Sequence, residues 1–457
     1  MLFNSYGFIL LYLPVTVVIF FLLGKWRNKQ WAIGWLVLSS FAFYGYWDVW
    51  YVPLLFGSIC FNYMIGGALE QHNGQKIWLA VGITVNICLL GYFKYTDFFL
   101  GTVNELAGEN LFDLPHIVLP LGISFFTFTQ TAYLVDAYRG EAKNRSFLTY
   151  CEFVTIFPHL IAGPIINHKK MIPQFVAVET FALNYRNMAL GITIFAMGLA
   201  KKVLVADRIA PWVNEVFIHI DTITFWQAWV GALGYTFQLY FDFSGYSEMA
   251  IGLGLMINLR LPLNFNSPYQ ANNIIDFWRR WHMTLGDWVK NYLYIPLGGN
   301  RHGELKKMRN LFASMVIIGL WHGAGWTFVL WGALHGFYLM INHGLRRLKT
   351  KIPTFVSRGG TFLAIVIAWV FFRAESIGDG WQVLLAMTDW AGHGKMPGQK
   401  MLWLVIIGAV LMAAPHPIEL VMRTKFPSIK WEVATIVLLV AGILYITVDS
   451  PFLYFQF

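Results

Sequence analysis

The chain opens with the stretch Phe3-Asn-Ser-Tyr-Gly-Phe-Ile-Leu-Leu-Tyr-Leu-Pro-Val-Thr-Val-Val-Ile-Phe-Phe-Leu-Leu23, which carries no charged side chain. A helix of about 20 apolar residues spans the hydrocarbon core of a bilayer, which is roughly 30 Å thick. No Lys or Arg precedes the stretch and no small-residue cleavage site follows it, so it does not fit a signal peptide. Lys25, Arg27 and Lys29 come directly after it. Because positive residues favour the cytoplasm, the N-terminus is predicted to lie outside.

The composition extends this interpretation to the whole chain. Hydrophobic residues make up 57% of the 457 residues and charged residues 12%, against about 45–50% and about 25% in soluble domains. Several apolar runs are short or interrupted by Gly and Pro, which is typical of re-entrant or tilted segments. No linker divides the sequence, so we predict a single all-α, multi-pass membrane domain over residues 1–457, with its core at about 235–345. The further apolar runs lie at 31–47, 51–69, 77–99, 117–137, 147–166, 186–205, 223–248, 309–322, 326–343, 361–374, 401–414 and 432–448.

The basic residues are predicted to mark membrane topology. The net charge is +9, and Lys and Arg lie mostly in short bursts between apolar runs, as expected for cytoplasmic loops. The aromatic residues lie within apolar runs and not in a basic patch, which argues against nucleic-acid binding. Lys201, Lys202 and Arg208 do not fit the loop pattern, and the crossing there stays open.

Metal or phosphate chemistry has no signature in this sequence. Cys60, Cys88 and Cys151 are not at metal-ligand spacing and are predicted to be small, buried apolar side chains. His159 and His168 flank a Gly-Pro pair without acidic ligands near them in the sequence, so no metal site is predicted. There is also no Walker loop and no G-x-S-x-G elbow.

Polar side chains inside apolar sequence single out the middle of the chain. Asp242 and Glu248 lie in or beside Tyr240-Phe-Asp-Phe-Ser-Gly-Tyr246. Carboxylates within a membrane normally face the protein interior and have partners. Both a hydrogen bond between packed helices and a contact with substrate are compatible with this pattern.

A second polar segment is Asn273-Ile-Ile-Asp-Phe-Trp-Arg-Arg-Trp-His-Met-Thr-Leu-Gly-Asp-Trp288. An interfacial helix, with Trp at the level of the lipid headgroups and Arg280 reaching towards water, accounts for its Trp and Arg residues. It does not account for His282. The segment leads into Tyr294-Ile-Pro-Leu-Gly-Gly-Asn-Arg-His302, which is predicted to be a turn-rich loop.

The third polar segment is Leu320-Trp-His-Gly-Ala-Gly-Trp-Thr-Phe-Val-Leu-Trp-Gly-Ala-Leu-His335. Glycine after His322 permits a helix break and the close approach of another backbone or a ligand. A neutral imidazole there can accept a proton from a hydroxyl, although a histidine that bonds between helices fits the spacing equally well. On a continuous helix His335 would face elsewhere, so a structural role is predicted for it.

These segments together resemble the membrane-bound O-acyltransferase (MBOAT) family, in the branch of the alginate O-acetyltransferase membrane subunit. The resemblance covers nearly the whole chain, and the joint order of its motifs is specific. The motifs are the opening Met1-Leu-Phe-Asn-Ser with Leu13-Pro14, Leu119-Pro-Leu-Gly-Ile-Ser-Phe125, Tyr133-Leu-Val-Asp-Ala-Tyr-Arg-Gly140, Phe157-Pro-His-Leu-Ile-Ala-Gly-Pro164, Tyr240-Phe-Asp-Phe-Ser-Gly-Tyr246, Phe277-Trp-Arg-Arg-Trp-His282, Tyr294-Ile-Pro-Leu-Gly-Gly-Asn300 and Trp321-His-Gly323.

The resemblance implies a ring of transmembrane and re-entrant helices around a central tunnel, with an active site built on two positions. The later position is a His and the earlier one an Asn, Asp or His; they map onto His322 and His282, 40 residues apart. His322 would act as the general base or orient the acceptor hydroxyl, and His282 would position the donor or stabilise oxyanion charge. A His at the earlier position is similar to the bacterial polysaccharide branch. Substrate contacts are predicted at Asp242, Tyr240, Arg279, Arg280, Asn300 and Trp321.

The same resemblance implies a bacterial inner-membrane enzyme that binds no cofactor and uses acetyl-CoA as a co-substrate. The acetyl group would pass from the cytoplasm to an exopolysaccharide, such as alginate, cellulose or peptidoglycan, with the help of a periplasmic acetyltransferase partner. Two alternatives are a D-alanyl transfer subunit for teichoic acid and a non-enzymatic transporter of an acyl group or glycan. A transporter also fits a broken-helix bundle that carries intramembrane His and Asp.

A cluster of basic residues brackets the two histidine motifs. Cytoplasmic topology alone accounts for such a cluster. Arginine and lysine also suit the phosphates of coenzyme A, which predicts a donor-binding role. The cluster comprises Arg279, Arg280, Arg301, Lys306, Lys307 and Arg309.

Overall fold

The computed structural model describes residues 1–26, 28–71, 75–142, 146–348, 352–423, 426–446 and 452–453. Arg27, which the topology prediction uses, lies outside these residues. Within the described ranges the regular structure is helical, and no β-strand occurs, so the all-α prediction is confirmed. The chain divides into two compact units, a first of Met1–Leu199, Tyr246–Pro262 and Phe426–Val448, and a second of Ala200–Gly245, Leu263–Lys425 and Asp449–Phe457. A single functional domain over 1–457 stays a prediction.

The first unit contains the helices of the N-terminal half of the chain and one helix from its end. Neutral hydrogen bonds join its long helices: the amides of Asn62 and Asn86 bond each other at 2.7 and 3.2 Å. Its helices are α1 (Leu13–Gly24), α2 (Gln30–Gly45), α3 (Val52–Gln71), α4 (Lys76–Ala107), α5 (Ile123–Tyr138), α6 (Phe147–Thr155), α7 (Phe157–Leu160), α8 (His168–Val176), α9 (Tyr185–Ala200) and, at the end, Ile429–Leu444.

The opening helix is shorter than the apolar run that predicts it. Helical structure begins at Tyr6, passes through a π-helical turn at Phe8–Tyr12 and continues into α1. The Ser5 hydroxyl donates to the carbonyl of Leu2 at 2.7 Å and accepts from the backbone N–H of Phe8 at 3.3 Å. These bonds form a turn before the helix, because serine side chains compete with helical backbone bonds.

The cysteine prediction is correct at one position and wrong at another. Cys151 is buried on α6, whereas Cys60 is half-buried and Cys88 is exposed on α4. Most of α4 has its side chains on the outside of the first unit. An apolar side chain in such a helix faces lipid, so position in an apolar run does not distinguish the protein interior from the bilayer.

The second unit contains the middle motifs. Its helices are α10 (Asp207–Ile218), the first part of α11 (Phe225–Met256), α12 (Ile274–Trp278), α13 (Met283–Val289), α14 (Glu304–His322), α15 (Trp326–Arg347), α16 (Thr354–Arg373), α17 (Ile377–Ala386), α18 (Gly398–Ala413) and α19 (Pro417–Arg423); Ile429–Leu444 of the first unit is α20. The core of this unit is aromatic, with Trp281 and Trp331 both packed on Trp369, at ring distances of 5.0 and 5.5 Å.

Four continuous helical segments among the described residues are long and apolar enough to cross a membrane: Val49–Gln71, Lys76–Ala107, Tyr185–Ile218 and Thr354–Arg373. Phe8–Gly24 and Gly398–Ala413 are shorter apolar helices. The third segment consists of α9, a π-helical stretch at Lys201–Ala206 and α10. These segments agree with the predicted multi-pass character, while the ring of helices and the central tunnel stay predictions.

Candidate active site

Two closely packed helices of the second unit determine where His322 lies. Helix α14 ends at His322, Gly323 has an extended backbone, and α15 begins at Trp326. A Cβ atom on Gly319 would overlap the carbonyl oxygen of Phe328, and one on Gly332 would overlap that of Met315. The two backbones are therefore in direct contact, as glycine permits.

Aromatic rings surround His322. Its side chain is almost fully buried, at 4% exposure. The ring centroids of Trp321, Trp331 and Phe372 lie 4.9, 5.2 and 5.4 Å from that of His322. Such a dry site strengthens hydrogen bonds and partial charges, since there is little water to screen them.

His282 lies between two short helices and not within one interfacial helix. Helix α12 ends at Trp278, and His282 precedes α13 with a left-handed backbone, φ +44°. The side chain of Asn273 caps α12 by accepting from the N–H of Asp276 at 3.0 Å. The interfacial-helix interpretation is wrong for Trp281, which is buried against the ring of Phe265 at 5.1 Å.

A buried asparagine holds His282 in place. His282 is fully buried, and its Nδ1 lies 3.0 Å from the side-chain oxygen of Asn264. The same oxygen accepts from the hydroxyl of Thr284 at 2.9 Å, and the backbone oxygen of Asn264 accepts from the N–H of Met283 at 2.9 Å. Asn264 is not among the predicted site residues; its one signal in the sequence is a single amide within the otherwise apolar Leu261–Phe265.

The fold brings together the two histidines that are predicted to form the active site. The ring centroids of His282 and His322 are 6.4 Å apart, and the ring of Trp321 lies 6.3 Å from His282. Phe243 packs edge-on against His282 at 4.8 Å. The two buried imidazoles can accept and return a proton. The aromatic rings beside them limit the access of water to this site.

Asp242 takes part in a buried ion-pair network. Its carboxylate lies 2.6 Å from the ammonium of Lys202 and accepts from the N–H of Leu453 at 3.0 Å. Lys202, which is 3% exposed, also binds Asp207 at 2.8 Å. This network favours the structural role for Asp242 over substrate contact. It also explains why Lys202 did not fit the topology pattern, because its charge is paired inside the protein.

The remaining predicted contacts divide into a buried and an exposed group. Tyr240 is buried, with its ring 5.3 Å from that of Tyr269. Arg280 bonds Asp276 at 2.8 Å and the carbonyl of Asn266 at 3.3 Å, so it stabilises the turn between α12 and α13. Arg279 and Asn300 are exposed.

Asn310 stabilises the loop that contains Asn300. The amide of Asn310 donates to the carbonyls of Leu297 and Gly299 at 3.0 and 3.1 Å. Glu304, close by in sequence, binds Arg347 at 2.7 Å and Lys307 at 3.5 Å. The hydrogen bond from Arg347 holds the pKa of the Glu304 carboxyl below its usual range. The basic cluster is therefore partly neutralised.

His335 lies on α15, the helix that follows the turn after His322. It does not lie on a continuation of α14, the helix that ends at His322. Its ring is 4.8 Å from that of Trp331, and its Nδ1 accepts from the indole N–H of Trp278 at 3.3 Å. The premise of one continuous helix is wrong, because glycines let the chain reverse between α14 and α15. The structural role of His335 stays a prediction, and its bond to Trp278 supports it.

Two buried histidines of the first unit, His159 and His168, have fixed protein partners. The Nδ1 of His159 donates to the carbonyl of Pro164 at 2.8 Å, and its Nε2 lies 3.2 Å from the hydroxyl of Thr129. The Nδ1 of His168 lies 3.5 Å from the carboxylate of Asp136. Across the described ranges, no group of three or more His, Cys, Asp and Glu side chains is placed to hold a metal ion.

Comparison with known proteins shows the family of this chain. Residues 36–374 match the model of the MBOAT, membrane-bound O-acyltransferase, family. The chain is 46% identical to the peptidoglycan O-acetyltransferase of Helicobacter pylori, over 86% of this chain and 80% of that protein. It is 42% identical to a Pseudomonas aeruginosa protein named probable alginate O-acetylase AlgI, over 85% of this chain and 75% of that protein.

A more distant relative bears on the alternative of a D-alanyl transfer subunit. The teichoic acid D-alanyltransferase of Bacillus subtilis is 28% identical over 56% of this chain and 68% of its own length. A D-alanyl transfer subunit is thus not favoured, since the O-acetyl relatives match at higher identity over more of the chain. A non-enzymatic transporter is not favoured either, because the matching family consists of acyltransferases. The chain belongs to the membrane-bound O-acyltransferase family and is a multi-pass membrane O-acyltransferase.

Proposed function

We propose that this enzyme takes an acetyl group from acetyl-CoA on the cytoplasmic side of the bacterial inner membrane. It delivers the group to a hydroxyl on the outer side, for O-acetylation of a cell-surface polysaccharide. The observation that carries the proposal is the approach of two buried imidazoles, those of His282 and His322, to 6.4 Å. The names of the two relatives above, an acetyltransferase of peptidoglycan and an acetylase of alginate, support acetyl as the acyl group.

His322 is the proposed general base. It takes the proton of the acceptor hydroxyl as the oxygen attacks the thioester carbonyl. A C–O bond forms, the C–S bond breaks, and the proton then passes from His322 to the departing thiolate of coenzyme A. The rings of Trp331 and Phe372, both packed against His322, support this role, because they exclude water that would hydrolyse the thioester.

His282 has two possible roles in this scheme. It positions the acyl donor for attack, or it stabilises the negative charge that develops on the carbonyl oxygen. Trp321, whose ring lies 6.3 Å from His282 and 4.9 Å from His322, is the proposed wall for the acyl group. Tyr240, whose ring lies 6.3 Å from that of Trp281, forms part of the aromatic surroundings of this region.

The final acceptor lies outside the membrane. We propose that a periplasmic acetyltransferase completes the transfer to the polymer, since the donor and the glycan occupy opposite sides of the bilayer. Peptidoglycan and alginate are the two polymers to test first, as they occur in the names of the relatives that match over most of the chain.

The test uses purified protein in proteoliposomes with radiolabelled acetyl-CoA, and measures both labelled product and release of free coenzyme A. General acid–base catalysis contributes about 10²–10⁴-fold, so His322→Ala should lower turnover by at least that lower bound while the protein stays folded. His219→Ala, at an exposed histidine of the second unit, is the matched control and should keep full turnover.

A second measurement follows acetyl content on the glycan of cells that carry each variant. Wild-type acetyl content with His322→Ala would contradict the assignment of His322. Loss of glycan acetylation with unchanged release of coenzyme A would contradict the role of His322 as the base for attack on the thioester and would place His322 in a later step.

A further inference from the structure

We infer that Asn264 fixes which ring nitrogen of His282 carries the hydrogen, and that His282 enters the reaction as a hydrogen-bond acceptor. The inference rests on the proposed function for its catalytic part. It chooses between the two roles of His282 left open above. Nothing in the family motifs includes Asn264, which lies in the loop before α12.

The identity of the Asn264 atom that faces His282 follows from its other contacts. The backbone N–H of Thr284 points at this atom at 3.4 Å, and the Thr284 hydroxyl lies 2.9 Å from it. A backbone N–H can only donate, so the atom that receives it is the side-chain oxygen and not the amide nitrogen. That oxygen lies 3.0 Å from Nδ1 of His282.

The hydrogen on His282 is therefore on Nδ1, because an amide oxygen only accepts. In a neutral imidazole the other nitrogen, Nε2, then holds a lone pair. A lone pair cannot stabilise an oxyanion, which requires a hydrogen-bond donor. Neutral His282 instead accepts from an N–H or O–H of the bound acyl donor, which leaves the positioning role and excludes the oxyanion role.

A neighbouring histidine has the opposite arrangement. Nδ1 of His335 receives the indole N–H of Trp278 at 3.3 Å, and indole nitrogen only donates. The hydrogen of neutral His335 is then on Nε2. Two buried histidines of one unit thus hold opposite tautomers, each selected by a single neighbour of fixed polarity.

Asn264 is a positioning residue and not a catalytic one. It is 1% exposed, and its backbone oxygen also accepts from the N–H of Met283 at 2.9 Å. The side chain of Asn264 thus bonds the ring of His282, and its backbone bonds the next residue, Met283. Together these bonds hold His282 in its left-handed conformation, with φ +44°. Water in place of the amide could either donate or accept, and would leave the tautomer open.

The first test is ¹⁵N NMR of purified wild-type protein in lipid with ¹⁵N-labelled histidine, and His282→Asn identifies the His282 signals. We expect a protonated Nδ1 and an unprotonated Nε2. In Asn264→Ala the two nitrogens should become similar, as both tautomers populate. A wild-type His282 protonated on Nε2 would overturn the inference, and this result needs no variant of Asn264 to fold.

The second test separates positioning from folding by kinetics. Asn264→Ala should lower kcat by about 10²-fold, with KM for acetyl-CoA within about twofold, because a misoriented donor reacts more slowly although most of its binding contacts remain. Asn264→Asp keeps an accepting oxygen and should restore most of kcat. Asn266→Ala, at an exposed asparagine two residues on, should match the wild type.

Failure of the inference differs from failure of the proposed function. Full activity in Asn264→Ala, together with an inactive His282→Ala, would overturn the positioning role of Asn264 alone. Full activity in His282→Ala would remove His282 from the proposed reaction and with it the catalytic part of the inference. The NMR spectrum would still decide whether Asn264 sets the tautomer.

Discussion

The two units each bury histidines, but they use them differently. In the first unit His159 has both ring nitrogens bound to fixed groups, the carbonyl of Pro164 and the hydroxyl of Thr129. In the second unit Asn264 holds His282 at Nδ1, and a second imidazole lies 6.4 Å away. Burial alone therefore does not identify a reactive histidine. A neighbouring titratable ring in an aromatic, dry site is the more informative feature.

Two polar contacts, one in each interior, also differ in kind. In the first unit the neutral amides of Asn62 and Asn86 bond each other between α3 and α4. The second unit buries a lysine between two carboxylates, those of Asp207 and Asp242. Removal of one partner from a buried ion pair is far more harmful than loss of a neutral hydrogen bond.

The largest expected effect is therefore at Lys202. Lys202→Met leaves two buried carboxylates facing each other and should lower the free energy of unfolding by about 3–5 kcal/mol. Thermal unfolding in detergent measures it. Lys201→Met is the control, and loss of its contact with the Tyr240 ring, 5.8 Å from its ammonium, should cost about 0.5–1 kcal/mol. Equal losses at the two lysines would remove the contrast between the interiors.

The next effect is on activity. His282→Ala should lower kcat by about 10²-fold, within the range for acid–base or positioning groups, without loss of thermal stability beyond that of other buried substitutions. His282→Asn should retain more activity than His282→Ala, since an amide can still accept a hydrogen bond. Kinetics with labelled acetyl-CoA test this order. If the asparagine variant were the less active one, acceptance of a hydrogen bond would not be the role of this position.

His159→Ala should show the reverse pattern. Loss of the ring leaves the Pro164 carbonyl and the Thr129 hydroxyl without their partner, at about 1–3 kcal/mol for unsatisfied buried groups. The rate per folded molecule should stay unchanged. Unfolding curves measure the loss of stability, and active-site titration gives the turnover rate per folded molecule. A fall in kcat of the folded fraction would place His159 in the reaction and end the distinction between the two histidine sites.

The smallest expected effect concerns the basic cluster. Arg301→Gln with Lys306→Gln removes two exposed charges and should raise KM for acetyl-CoA by about two- to threefold, with kcat unchanged, since it removes uniform binding. The difference from wild type should shrink at high salt because ions screen exposed charges. This pair is preferable to Lys306, Lys307 and Arg309 together, because Lys307 binds Glu304 and Arg309 bonds Asn310.

A matched double variant controls for net charge. Lys395→Gln with Lys430→Gln removes two exposed charges elsewhere and should leave KM as in wild type. If both double variants raise KM equally, the effect comes from overall charge. If neither does, the charges of the cluster serve topology and the phosphates of the donor bind at another place.

Local sequence was sufficient for the helices but not for the contacts between them. The run 51–69 predicted α3 at Val52–Gln71, and the runs 309–322 and 326–343 predicted α14 and α15, since apolar length is a local property. The break after His322 also follows from its glycines.

Family resemblance, and no local pattern, joined His282 to His322. Lys202 and Asn264 could not be predicted, because their partners are distant in the sequence and only the packed chain brings a lysine to Asp242 or an amide to His282. Asp242 is the clearest example. A carboxylate in an apolar run predicts that a partner exists, but the sequence does not identify that partner.

The left-handed backbone of His282 restricts how this position can evolve. At φ +44° a β-branched or bulky side chain is strained, and the non-glycine residues that tolerate this region best are Asn, Asp and His. These are the three residue types that the family resemblance implies here. Their codons differ only in the first base, so a single nucleotide change exchanges them without rebuilding the loop. Steric selection by the backbone thus sets the short list of residues, and the chemistry of the acceptor selects among them.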